Sequence, residues 1–220
     1  MQSKHRQSGF TLVEIAIVLV IIGLLLGGIL KGQEMITQAR IKNVINDFNG
    51  ITAAYFSYQD RYRAIPGDDA GANARWTLGA AGVPSSPGNG ILDGVWNDAT
   101  AGVEPETRLF WWNLRSAGFI AGPTAPASQA SNQPTNAFGS LIGAATGLGA
   151  NTLSLSGLII CSSGIPDKVA IAVDTQMDDQ NANTGSLRAI FGGSTTPLGV
   201  LSGANYVETG SNQYLLCRGV

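Results

Sequence analysis

Gly9-Phe10-Thr11-Leu12-Val13-Glu14, running on into the apolar stretch Ile15 to Leu30, decides the fold. Of the 21 residues from Phe10 to Leu30, Glu14 alone is charged. At about 1.5 Å of rise per residue the segment is ~31 Å long as a helix, the thickness of a bilayer's hydrocarbon core. A soluble domain has no use for such a helix near its first residue, and a plain anchor has no use for Glu14. An ionisable group near the start of a membrane span is costly, which marks it as a functional candidate. A secretory signal peptide is the competing reading, but its apolar region runs only about 7–15 residues and stops at a small-residue cleavage site. Here the apolar run is longer and passes straight into an amphipathic helix.

These residues resemble the start of type IV pilins and pseudopilins: a short charged leader, a Gly, then Phe-Thr-Leu-Val-Glu opening a long apolar helix. Met1 to Gly9, with Lys4, His5 and Arg6, matches the leader, and Phe10 to Glu14 match the motif without a gap. The resemblance implies that a membrane-embedded prepilin peptidase cuts between Gly9 and Phe10 and methylates the new amino terminus of Phe10. It also implies self-assembly into a helical filament, driven by an inner-membrane platform and an ATPase. The flanking charges leave orientation undecided, with Lys4 and Arg6 on one side and Lys31, Arg40 and Lys42 on the other. The resemblance supplies it: leader in the cytoplasm, C-terminal domain beyond the inner membrane, then a periplasmic or extracellular filament.

Elementary electrostatics gives Glu14 a role in that scheme. Cleavage before Phe10 leaves an ammonium group at the start of the helix, in or near the apolar layer. A buried cation needs a paired anion. Glu14 is that anion, on its own chain or on a neighbour's, and the pair would favour side-by-side assembly in one axial register. The positive end of the helix dipole also favours the carboxylate there. Many family members carry a proline late in the membrane segment, where this chain has Lys31. Gly23, Gly27, Gly28 and Gly32 are the weak points instead, each costing up to about 1 kcal/mol relative to Ala. Bending during assembly is expected around Gly27–Gly32, where small residues also let neighbouring helices approach closely.

Beyond the apolar run, Ile41, Val44, Ile45, Phe48, Ile51, Tyr55, Tyr58 and Tyr62 recur at helical intervals and predict one core-facing stripe. Pro66-Gly67 ends the helix. The expected layout is α+β: leader 1–9, filament-core half of the helix 10–30, amphipathic half 31–65, a loop-rich region 66–150, and an antiparallel sheet over 151–220. Within the loop-rich region, Leu109, Phe110, Trp112 and Leu114 predict a short helix near 104–118, capped by Gly118. Residues 121–136 read as an exposed loop. Leu155–Cys161, Val169–Asp174, Leu187–Phe191 and Gln213–Cys217 read as strands. Cys161 and Cys217 are the two cysteines. An even count in an exported domain reads as one disulfide, worth on the order of 4 kcal/mol, and it is similar to the C-terminal disulfide of many pilins. Two unrelated buried thiols are the alternative.

Composition narrows the function further. Charged residues are 13% and Gly is 29 of 220, which suits an extracellular domain better than a cytosolic enzyme. The net charge of −2 would become −4 once Lys4 and Arg6 leave with the leader, so no nucleic-acid partner is indicated. The single histidine, His5, lies in the leader, so the mature chain lacks an imidazole for acid–base or metal chemistry. Asp68/Asp69 and Asp178/Asp179 sit in Gly- or Asn-rich loops and read as solvated turns. Asp174, Asp178, Asp179, Asn181 and Asn183 cluster between two expected strands and offer the hard oxygen ligands Ca2+ requires. The resemblance adds weight here, because major pseudopilins of type II secretion hold calcium in a loop near their C-terminal strands. Asp/Asn-rich turns without a metal are equally familiar. The expectation is therefore a structural filament subunit without catalysis. The alternatives are a pseudopilin of a type II secretion-like system and a membrane-anchored adhesin that does not polymerise.

Overall fold

The structure, a computed structural model, describes residues 11–76, 86–98, 105–124, 132–146, 153–192 and 205–220. The leader with Gly9 and Phe10, and residues 125–131 of the expected 121–136 loop, lie outside the described residues. Helix α1 spans Leu12–Tyr62 without interruption, straight through Gly23, Gly27, Gly28 and Gly32. The chain divides into two compact units, Met1–Ala39 and Arg40–Val220.

In the first unit, α1 carries its apolar side chains outward: Leu12, Val13 and Leu24 are each at least two-thirds exposed. Among the described residues this is the one helix long and apolar enough to cross a membrane. An all-round apolar helix with no protein against it requires lipid or other helices. Lys31 and Glu34 form an exposed i,i+3 pair at 2.8 Å where the polar sequence begins.

In the second unit, α1 buries Ile41, Val44, Phe48, Ile51, Ala54, Tyr55 and Tyr58. Their spacing of three and four residues places them on one stripe. The helix ends where Arg63 turns left-handed (φ 54°), its N–H donating to Gln59 O at 2.8 Å. Among the described residues three shorter helices follow: α2 at Ala72–Arg75, α3 at Glu106–Ser116 and α4 at Asp167–Met177. Gly118, with φ 79°, closes α3, and Phe119 N–H returns to Leu114 O at 2.9 Å.

The sheet contains β1 (Ile142–Thr146), β2 (Leu158–Pro166), β3 (Leu187–Phe191) and β4 (Gln213–Gly219), antiparallel in the order β1-β2-β4-β3. Strand alternation sorts its apolar residues between two cores. Ile142, Ala144, Leu158, Ile160, Leu187 and Leu216 join the α1 stripe and Phe110, Trp111 and Leu114 of α3. Ile159, Cys161, Ile190, Leu215 and Cys217 face the other way, onto Trp96, Leu153 and Leu155. Both faces being covered explains why Leu158 to Cys161 reads as an unbroken apolar run.

Three expectations need correction. Val169–Asp174 is not a strand but the middle of α4. Val169, Ile171 and Val173 alternate as in a strand, yet the buried residues are Asp167, Val169, Ala170, Val173 and Asp174, a helical spacing. The fourth strand is instead β1, inside the region read as loop. Its sequence Ile-Gly-Ala-Ala-Thr gives little strand signal, because Gly143 must let the Trp96 carbonyl approach: a Cβ there would lie 1.7 Å from Trp96 O. Asp68 and Asp69 are not solvated, being 3% and 6% exposed. Asp68 accepts the N–H groups of Gly88, Asn89 and Gly90, while Asp69 accepts Gly71 N–H, the Tyr58 hydroxyl and Arg75.

Candidate functional site

The first turn of α1 is built by two residues. Thr11 precedes the first helical residue, and its N–H and hydroxyl both donate to Glu14 Oε2 at 2.8 Å. In return, Glu14 N–H donates to Thr11 Oγ1 at 3.3 Å. This reciprocal pair is a capping box, which satisfies N–H groups the helix start leaves without partners. The pattern Thr11-x-x-Glu14 was readable in the sequence, whereas the motif and charge pairing had pointed to Glu14 without Thr11. Both residues are exposed. A carboxylate offers about four acceptor sites, so capping leaves Glu14 capacity for an ammonium group.

Residues 4–30 match the prokaryotic N-terminal methylation motif. That is the prepilin signature of type IV pilins and pseudopilins, and it covers Gly9, Phe10, Thr11 and Glu14. The motif marks a structural, pilin-like chain rather than an enzyme family, and it implies processing by a prepilin peptidase. Neither the curated proteins nor the solved structures contain a match to the chain. The prepilin start and the exposed apolar half of α1 together fit anchoring in an inner membrane before assembly.

Away from the helix start, the structure joins Cys161 to Cys217 in a disulfide across a sequence separation of 56. The two residues are direct partners in the β2–β4 register and are 2% and 0% exposed.

The acidic loop after α4 brings oxygen atoms of Asp174, Asp178 and Asp179 within 4.8 Å of one another. Asp174, 0% exposed, accepts the Tyr206 hydroxyl at 2.6 Å and Gln180 N–H at 3.0 Å. Burial pushes its carboxyl up, and the neighbouring Asp179 and Asp178 charges add to this. Asp179 accepts Thr184 Oγ1 and Asn181 N–H, and the Thr184 hydroxyl first of all holds its carboxyl down. Asn181 Oδ1 accepts Asn183 N–H at 3.1 Å. Asp178 has a structural task as well. Its Oδ2 accepts Leu187 N–H at 2.8 Å, and Ala189 N–H donates to Ala182 O at 2.9 Å. The loop therefore blocks the outward edge of β3, a place where an exposed strand invites unwanted pairing. An all-oxygen, multiply anionic donor set suits a hard divalent cation.

Proposed function

We propose that this chain is the structural subunit of a type IV pilus-like filament. The observation that carries the reading is the prepilin motif fused to a continuous 51-residue helix whose segment from Leu12 to Leu30 exposes apolar side chains around Glu14. Prepilin peptidase releases the leader between Gly9 and Phe10 and methylates Phe10. The helix waits in the inner membrane with the α+β unit in the periplasm, until the platform and its ATPase extract it into the filament. Glu14 then neutralises the Phe10 ammonium of a neighbouring subunit and sets the axial register.

Two substitutions at Glu14 separate charge from capping. Glu14→Gln keeps a side chain that serves a capping box but removes the charge, whereas Glu14→Ala removes both. Filament yield in a producing strain should fall equally in the two variants, with prepilin levels unchanged. Normal assembly of Glu14→Gln would reduce Glu14 to a capping residue. A secretion pseudopilus uses the same helix, so electron microscopy of surface filaments is run beside a secretion assay: lost secretion without any surface filament would favour that alternative. An adhesin that does not polymerise predicts no effect of either substitution.

The reading extends to Ca2+ at Asp174, Asp178, Asp179 and Asn181, supported by the convergence of the three carboxylates. Calorimetry with Ca2+ should give saturable heat that Asp179→Ala abolishes. Equal heats in both proteins would remove the cation from the account.

A further inference from the structure

Asp68, Asp93 and Glu106 are separate in the sequence and meet beside the start of α3. Asp93 N–H donates to Glu106 Oε2 at 2.8 Å, which fixes the Glu106 carboxylate on the Asp93 backbone. Gly67, the residue before Asp68, lies against the Glu106 backbone, and an added Cβ there would collide with Glu106 O. Gly94 presses on Thr107 in the same way: a Cβ there would lie 2.9 Å from Thr107 Oγ1. The segment from Gly88 to Gly94 is thus held by Asp68 at one end and by the first turn of α3 at the other.

Two oxygen atoms in this contact have nothing to bind. Glu106 is 8% exposed, and its Oε1 is buried without a hydrogen-bond partner. Thr107 is 0% exposed, and its Oγ1 is likewise unpartnered. A buried polar atom without a partner is rare in folded proteins and calls for an explanation. Oε1 shares its carboxyl with Oε2, so it lies at the Asp93 backbone, while Thr107 Oγ1 lies at the adjoining Gly94. Both orphaned oxygens therefore flank one short stretch of loop.

Charge points the same way. Burial pushes the Glu106 carboxyl up; the Asp93 N–H opposes this, and the negative charges of Asp68 and Asp93 push it up further. Among the described residues none of the three carboxylates takes part in an ion pair. Three backbone N–H groups serve Asp68, and the positive end of α3 offsets part of the charge on Glu106. Neither gives Glu106 Oε1 a partner. What the contact calls for is a cation.

We propose that Glu106, Asp93, Asp68 and the Thr107 hydroxyl form a binding site for Ca2+, which closes the Gly88–Gly94 loop onto the start of α3. The donors are all hard oxygens, and carboxylates dominate among them. Two of them are buried, so the ion must shed water to reach them. Ca2+ does so in irregular geometry, whereas Mg2+ demands a near-ideal octahedron and keeps several waters. The site is separate from the prepilin start and from the acidic loop after α4, so it stands or falls apart from both.

The test uses the full-length chain in detergent micelles, carrying Asp179→Ala to disable the loop after α4. Urea unfolding is followed in EDTA and over a series of Ca2+ or Mg2+ concentrations. A ligand held only by the folded chain raises the midpoint progressively with its concentration. The midpoint should therefore climb with Ca2+, and Mg2+ should need an at least about 10-fold higher concentration for the same shift. Glu106→Gln keeps an oxygen for the Asp93 N–H but removes the charge, and Asp93→Asn alters an exposed side chain. Added to Asp179→Ala, each should keep or raise the midpoint in EDTA, because repulsion is relieved, and each should abolish the Ca2+ shift. The proposal is overturned if Ca2+ leaves the Asp179→Ala midpoint unchanged, or if either added substitution leaves the shift intact. A higher EDTA midpoint for Glu106→Gln, with no Ca2+ shift before the substitution, would also overturn it and make Glu106 a buried neutral acid.

Discussion

Replacing Asp167 by Asn tests how the C-terminal segment is fastened to the sheet. Asp167 begins α4 and is 2% exposed. Its Oδ2 accepts the N–H groups of Thr209 and Gly210, each at 2.8 Å, and its Oδ1 accepts Lys168 N–H at 2.7 Å. Burial alone would push this carboxyl up, but the backbone N–H groups of Thr209, Lys168, Gly210 and Asn212 outweigh it and hold it below the usual range. A hydrogen bond to a charged acceptor contributes about 1.5–3 kcal/mol. Asn retains one oxygen but no charge, so the variant should lose about 2–3 kcal/mol at neutral pH. A carboxyl whose folded pKa is depressed stabilises fully above its unfolded pKa, about 3.9, and that contribution fades as pH falls through the folded value. The difference between variant and parent should therefore be flat from neutral pH down to about 5 and shrink below about 4. Burial raises Asp47, Glu106 and Asp174 in the opposite sense, so only this difference isolates Asp167. Urea unfolding of the full chain in detergent at a series of pH values measures it. A neutral-pH difference below about 0.5 kcal/mol, or one that persists unchanged in acid, would refute the clasp.

Four further outcomes follow from buried contacts. Gly143→Ala places a Cβ against Trp96 O and within 2.7 Å of Gln133 Nε2, so it should cost about 3 kcal/mol in urea unfolding, and a cost below about 1 would show that β1 relaxes freely. Tyr58→Phe removes a hydroxyl that donates to Asp69 at 2.6 Å and should cost about 1–2 kcal/mol, with no change in filament yield if the head stays folded. Replacing Cys161 and Cys217 together by Ser should cost on the order of 4 kcal/mol. In the parent chain, burial of both sulfurs predicts that a mild reductant followed by thiol labelling modifies neither cysteine without denaturant.

The parts of the fold that the sequence displayed were those with a repeating signal over many residues. α1 combined an apolar span with a stripe of three-and-four spacing, and its observed bounds, Leu12–Tyr62, lie close to the expected ones. β3 and β4 carried dense β-branched, aromatic or apolar runs and were readable for the same reason. α4 was hidden because Val169, Ile171 and Val173 mimic strand alternation. The contrary signal was Pro166-Asp167, a helix-opening pair whose carboxylate clasps the segment at Thr209. β1 was hidden because tertiary contact selected its glycine, and no local propensity reports a carbonyl arriving from Trp96. Asp68 and Asp69 looked solvated because Gly- and Asn-rich loops usually are. Only the fold reveals that three consecutive N–H groups, from Gly88 to Gly90, wrap the Asp68 carboxylate. At the helix start the division was different. The motif named Glu14, while its hydrogen-bond partner Thr11 lay in plain sight as a capping box.

Prepilin processing is the central claim, and intact-mass and N-terminal peptide mass spectrometry of the chain purified from its native membranes tests it most directly. The account predicts a mature chain beginning at Phe10, bearing one extra methyl group on its amino terminus, with the apolar segment through Leu30 retained. A chain that keeps Met1 to Gly9, or one cut beyond Leu30 as a secreted domain, would contradict it.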